Sequence, residues 1–198
     1  MPETAPTIRD DDDLMIAIQE GDPCAFEELV EKYQAPLIGF FFRNTRDRQM
    51  SEDLTQETLL RVYNQAWDYL PMGRFRGWMY RIARNLMIDS IRRQSNDALI
   101  RAFKSHGEDD NAMARLVGEV ISPEDMAHLQ ELAKIVDELL QQLPELQRTT
   151  FVMHHYAGLT LSDVADATET STATAKSRLR LAREKLREKL QERGVKGP

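Results

Sequence analysis

The sequence predicts an all-α protein: two small helical domains joined by a flexible linker. Three observations predict it. Apolar residues recur at helical spacing along most of the chain, strand-type alternation is absent, and a polar, breaker-rich stretch divides the periodic segments in two. At 198 residues the chain is long enough for one or two buried cores. A 41% apolar content supports folding and a 30% charged content supports solubility. No apolar run approaches the ~18–20 residues that span a bilayer. The opening MPETAPTIRDDDD does not read as a signal peptide, so no direct membrane contact is expected. The single cysteine, Cys24, excludes an internal disulfide framework and a multi-cysteine metal site. A reduced cytoplasmic setting follows, with Cys24 expected to be a small buried or semi-buried residue.

Taken in order, residues 1–12 read as a disordered acidic tip and residues 13–94 as the first domain. Asp22 followed by Pro23 starts a helix as an N-cap with proline in the first turn. Phe26, Leu29, Val30 and Tyr33 mark one face of it, and Leu37–Phe42 is a dense apolar cluster. Ser51 and Leu54 open another helix, Pro71 and Gly73 interrupt, and Phe75–Arg93 resumes the pattern. Residues 95–122 read as the linker, with one short helix near Met113–Val120. The second domain, residues 123–192, restarts at Ser122-Pro123-Glu124, runs helical to Leu143, breaks at Pro144, and pauses again near Gly158 and Thr168–Ser171. Residues 193–198 are a tail.

The formal net charge of −7 argues against nucleic acid at face value, but the charge is blocky. Residues 1–60 hold 5 basic and 14 acidic residues, net −9, and residues 94–147 hold 4 and 11, net −7. Residues 74–93 hold 6 arginines and one acid, net +5, and residues 171–196 hold 9 basic and 3 acidic residues, net +6. Such asymmetry marks separate partner surfaces, although solvated helix faces give similar runs.

The second basic block has a helix-turn-helix form. A short helix, Leu161–Ala167, precedes a polar turn and a long helix that Ser171 caps. On a helical wheel started at Thr174, Ala175, Leu179, Ala182 and Leu186 share one stripe. Lys176, Arg180, Arg183 and Arg187 share the neighbouring stripe, with Ser177 at its edge. A small apolar stripe beside a basic one is what a recognition helix in a major groove requires. An ordinary amphipathic helix laced by i,i+4 pairs through Glu184, Glu188 and Glu192 fits the same stripes.

Two faces stand out in the first domain. Asp53, Gln56, Glu57 and Leu60 fall in one narrow window of a helix whose Leu54, Leu59, Val62 and Tyr63 read as buried. A leucine inside an acidic window suits a protein interface, and a chance exposed leucine is the plain alternative. From Trp78 onward, Met79, Ile82, Ala83, Leu86 and Met87 form a core stripe beside Arg81, Arg84, Asn85 and Arg92. Arginines near Phe75, Trp78 and Tyr80 suit single-stranded bases and phosphates, while the aromatics alone read as core. His154 and His155 are adjacent, a poor metal pair, and no nucleophile triad, carboxylate pair or phosphate loop stands out. No enzyme activity, cofactor or metal is expected.

GDPCAFEELVEKY, EDLTQETLLRVY, FRGWMYRIARNLMIDSIRR, LPELQRTTFVMHHYAGLTLSDVA and TATAKSRLRLAREKL occur in that order. With these five blocks the chain resembles a bacterial sigma-70-type RNA polymerase sigma factor of the extracytoplasmic-function (ECF) group, over about residues 13–93 and 123–190. The resemblance implies region-two and region-four domains in the bacterial cytoplasm. It also implies three partners: RNA polymerase core through its β′ clamp helices and β flap, promoter DNA, and an anti-sigma factor. It assigns Asp53, Gln56, Glu57 and Leu60 to the core. Leu70–Arg74 matches the loop that captures a base flipped from the minus-ten element. Asn85 matches an asparagine that helps read that element, Arg81 and Arg84 fall on the displaced strand, and Arg74 and Arg92 join them as minus-ten contacts. Ser171, Thr172, Lys176, Ser177, Arg180 and Arg183 fall on the face that reads the minus-thirty-five element. Thr168-Glu169 replaces a frequent Leu-Gly at the turn. The competing reading from a different class is a stand-alone helix-turn-helix regulator with a helical dimerisation domain, which binds duplex without polymerase.

Overall fold

The structure is a computed structural model that describes residues 9–101 and 134–193. Among the described residues the regular elements are helices, with no strand. Helix α1 (Asp11–Gln19) opens with a reciprocal capping box between Asp10 and Asp13 and buries Leu14, Met15 and Ile18. Asp11 and Asp12, expected in a disordered tip, are instead its first turn, where carboxylates face the positive end of the helix dipole. Helix α2 (Pro23–Thr45) starts on the Asp22 cap. It passes through Pro36 unbroken. That proline is exposed while Tyr33, Leu37, Phe40 and Phe41 are buried on either side, so packing offsets the missing backbone bond. Cys24 is exposed in the first turn of this helix rather than buried, because Ala25 and Leu29 take the inward positions.

Helix α3 (Arg48–Asn64) and a single 3-10 turn (Ala66–Asp68) lead into α4 (Phe75–Arg101). Helix α4 continues past the expected start of the linker at residue 95. The short helix expected near residues 113–120 and the restart at residues 122–124 lie outside the described residues. Beyond them, residues 134–141 are helical (α5), followed by α6 (Glu145–His155), α7 (Leu161–Ala167) and α8 (Thr172–Glu192).

In the first lobe α2 packs on α1 and α3, and α3 on α4. In the second, α8 packs on α6 and α7. The lobes touch where α2 meets α6 and α4 meets α7. Thr149 Oγ1 donates to buried Asn44 Oδ1 at 2.9 Å, and Gln141 Nε2 donates to the Arg43 carbonyl at 2.7 Å. The Arg43 guanidinium lies 3.3 Å from Asp137 and 4.0 Å over the Tyr156 ring. Arg76 donates to the Ala157 carbonyl. Gly77 allows the close approach of α7, since a Cβ there would sit 3.3 Å from the Asp163 Cβ. No helix among the described residues is long and apolar enough to cross a membrane.

Candidate polymerase and nucleic-acid interfaces

Asp53, Gln56, Glu57 and Leu60 are all exposed on one side of α3. Buried Leu54, Leu59 and Val62 anchor the opposite side, as their spacing predicts. Two of the polar groups are partly spoken for within the helix. Gln49 Nε2 donates to Asp53 at 2.9 Å, and Arg61 Nε donates to Glu57 at 2.9 Å. Exposed pairs of this kind contribute only a few tenths of a kcal/mol and yield readily to a partner. Tyr63, expected in the core, is half exposed and stacks on Phe26 with ring centroids 4.8 Å apart. Leu60 and Tyr63 lie three residues apart on α3, so the apolar window is wider than its sequence signal, and the strongly exposed Trp67 follows in the 3-10 turn. The Tyr63 ring disguised this, because exposed and buried aromatics read alike in a sequence.

The segment Leu70–Arg74 bridges the 3-10 turn and α4. Leu70 and Met72 are 67% and 66% exposed, which folding alone does not explain. Beneath them, Tyr69 is buried with its ring 5.8 Å from Phe75 and 5.1 Å from Trp78, and Tyr33 lies 5.5 Å from Phe75. Burial, and then the hydrogen bond to Asp12, pushes the Tyr69 hydroxyl well above its ordinary range, so it stays a donor. Gly73 has φ +69, a left-handed conformation that glycine takes at no steric cost. On α4, Met79, Ala83, Leu86 and Met87 are buried while Arg81, Asn85 and Arg92 are exposed and Arg84 is half-buried. Among the described residues none forms an ion pair with Arg81, Arg84 or Arg92. Arg74 is exposed and lies 3.7 Å from Asp166 of α7.

The second basic face is built by local rules. Thr160 and Asp163 cap α7 reciprocally. The turn that follows places Glu169 at φ +52, and the Thr170 N–H reaches back to the Ala165 carbonyl at 2.9 Å. Ser171 accepts from the Thr174 N–H at 3.1 Å and starts α8. Ala175, Leu179, Ala182 and Leu186 are buried. Lys176, Ser177, Arg180 and Arg183 are exposed, as the wheel predicts, and so are Ser171 and Thr172 at the start of the helix. Lys176, Arg180, Arg183 and Arg187 line a groove of about 590 Å³ against His154 and Leu161. Arg180 pairs with Glu184 at 2.7 Å. Arg183 donates from Nε and Nη2 to His155 Nε2 at 3.1 Å. Burial, then the Arg183 charge, then His154 hold the His155 imidazole below its ordinary pKa, so it stays the acceptor. His154 turns its Nδ1 to the Leu159 carbonyl at 2.8 Å. The two histidines therefore serve the fold of this lobe.

Residues 29–96 match the family description Sigma-70 region 2, and residues 133–186 match Sigma-70, region 4. The chain is 30% identical over 189 residues to the RNA polymerase sigma-H factor of Pseudomonas aeruginosa, spanning 93% of this chain and 96% of that one. It is 28% identical over 175 residues to the ECF RNA polymerase sigma factor SigW of Bacillus subtilis, spanning 88% and 94%. Two solved structures are similar in fold. One is CnrH in complex with the cytosolic domain of CnrY, at TM-score 0.66 and 22% identity over 92% of this chain and 97% of that chain. The other is the sigma factor RpoE in complex with the anti-sigma factor NepR from Bartonella quintana, at TM-score 0.68 and 19% identity over 84% and 96%. Matched in both regions and nearly end to end, the chain belongs to the sigma-70 family as an ECF-type RNA polymerase sigma factor, a non-enzymatic subunit that binds the core enzyme and directs promoter-specific initiation.

Proposed function

We propose that three exposed faces divide this work. The α3 window of Asp53, Gln56, Glu57 and Leu60 docks on the β′ clamp helices, and the second lobe rests on the β flap. Residues 70–74 receive the base flipped from the minus-ten element. Arg74, Arg81, Arg84, Asn85 and Arg92 hold the displaced strand beside it. Ser171, Thr172, Lys176, Ser177, Arg180 and Arg183 read the minus-thirty-five element from the major groove. An anti-sigma factor holds the chain inactive in the bacterial cytoplasm, in keeping with the anti-sigma factor NepR bound to the structurally similar RpoE.

The observation that carries this reading is the pairing of opposites at residues 70–74. Two apolar side chains stand two-thirds exposed in the loop that ends at Arg74, next to buried Tyr69, whose ring meets buried Phe75 and half-buried Trp78. Extruding a base costs a few kcal/mol, and an apolar surface that stacks the base next to cations that hold its phosphates offsets that cost. The test is reconstitution. Purified chain added to core enzyme should yield discrete transcripts from genomic fragments, and upstream alignment of the start sites should give two conserved elements. Tight duplex binding by the chain as a dimer, with no transcripts from core, would favour a stand-alone regulator instead.

A further inference from the structure

Three aspartates open α1, and helix capping accounts for one of them. Asp13 closes the capping box. Asp11 accepts from the Tyr33 hydroxyl at 2.6 Å and pairs with Lys32 at 2.7 Å. The Asp12 carboxylate reaches outside its helix. Its Oδ1 accepts from the Tyr69 hydroxyl at 2.5 Å and its Oδ2 from the Gly73 backbone N–H at 2.6 Å, partners 57 and 61 positions further along. At the far end of α1, Gln19 Nε2 donates to the carbonyls of Ala66 and Tyr69 at 2.7 and 2.9 Å. These four bonds fasten the start and the end of residues 66–73, while Leu70 and Met72 between them remain exposed.

Ordering a loop costs about 1–2 kcal/mol per residue in backbone entropy, and a loop fixed in advance spares its ligand that cost. A carboxylate accepting two hydrogen bonds is among the stronger ways to fix one. We propose that Asp12 is a positioning residue for promoter opening: it holds the Tyr69–Gly73 loop in the shape that receives the flipped base. This rests on the reading of residues 70–74 given above. It also runs against simple electrostatics, because removing a negative charge beside a DNA strand should by itself strengthen binding.

The experiment uses holoenzyme and a fluorescent single-stranded oligonucleotide carrying the mapped minus-ten sequence, with each position substituted in turn. Asp12→Asn should weaken binding by about tenfold, the scale of one charge-assisted hydrogen bond. The loss should concentrate at the captured position, where discrimination between bases falls towards unity. Tyr69→Phe, which keeps the ring and deletes one of the two donors, should give a smaller loss of the same kind. Leu70→Ala with Met72→Ala tests the loop itself. If both Asp12→Asn and Tyr69→Phe keep or raise affinity and keep discrimination, while the Leu70/Met72 pair abolishes it, the loop reading stands and the role of Asp12 is refuted. If the Leu70/Met72 pair also leaves discrimination intact, the loop reading falls and takes the inference with it.

Discussion

The two surfaces proposed to face DNA are made in opposite ways. The second lobe presents one helix, α8, started by the Ser171 cap and packed by a stripe of small apolar residues from its own sequence. The first presents a loop and a helix whose geometry depends on α1, with Asp12 and Gln19 reaching residues 66–73 from more than forty positions away. The difference follows the task. A duplex groove accepts a ready-made helix, whereas a single flipped base needs a shaped recess, and a recess is assembled from parts distant in sequence. The surfaces also differ in how their cations are kept. Arg180 and Arg183 lean on Glu184 and His155, while Arg81 and Arg84 form no ion pair among the described residues and Arg74 reaches Asp166 of the other lobe.

The sharpest way to break this comparison is to disable one surface and leave the other. Lys176→Glu with Arg180→Glu should reduce holoenzyme binding to duplex carrying the minus-thirty-five element by about a hundredfold or more, since each base or phosphate contact is worth about 1–3 kcal/mol. Binding to the single-stranded minus-ten oligonucleotide should stay within about twofold. Both side chains are exposed, so thermal stability should fall only slightly, by the Arg180–Glu184 pair lost and the like-charge i,i+4 neighbours created. A parallel loss on the single strand would mean the surfaces are not separate.

What was legible beforehand follows the same division. The buried stripe Ala175–Leu179–Ala182–Leu186 and its basic neighbour were readable because both belong to one helix and one period. The stripes of α4 were readable for the same reason, with Met79, Ala83 and Met87 inward and Arg81 and Asn85 outward. The role of Asp12 was not, because an aspartate run at a chain terminus looks the same whether it is solvated or reaches Gly73. Tyr63 misled in the other direction, since an aromatic side chain at helical spacing carries no mark of exposure. The contact between the lobes was invisible altogether, and that contact offers the next test.

Thr149 Oγ1 donates to Asn44 Oδ1 across the lobes, and both side chains are buried. Thr149→Val removes the donor with little change of shape and strands that oxygen. It should cost about 1–3 kcal/mol in chemical denaturation. Adding Asn44→Leu should recover much of the loss in a double-mutant cycle, because an apolar pair leaves nothing unsatisfied. Additivity of the two changes would mean the lobes do not meet through this bond in solution.

A smaller effect distinguishes two left-handed residues, one in each lobe. Glu169 sits at φ +52 in the turn before α8, and Arg46 at φ +61 after α2. A side chain there costs roughly 1–2 kcal/mol, part of which glycine forfeits through its freer unfolded chain. Glu169→Gly should therefore stabilise by up to about 1 kcal/mol, read as a raised melting temperature. Arg46→Gly should gain less, because the Arg46 guanidinium lies 4.0 Å from Asp137 and 5.5 Å over the Phe42 ring.

The smallest effect is a dependence on pH that belongs to the second lobe. His155 is held below its ordinary pKa by burial, by Arg183 and by His154, with the Phe151 ring 4.4 Å away. An unfolded imidazole gains its proton near pH ~6.5, whereas the folded one does so only at lower pH. The unfolded chain therefore binds more protons in that interval, and the stability due to His155 is complete above it and lost as pH falls through it. The first lobe opposes this nowhere near neutrality: Tyr33, Tyr69 and Tyr80 are pushed upward, and the hydrogen bond between Arg9 and Asp22 raises the guanidinium and lowers the carboxyl, both away from that interval. Melting temperatures measured between about pH 5 and pH 7.5 should fall on the acid side, and His155→Asn, whose amide oxygen still accepts from Arg183, should flatten that slope. A slope unchanged by the substitution would move the titrating group elsewhere and leave Arg183 held by geometry alone.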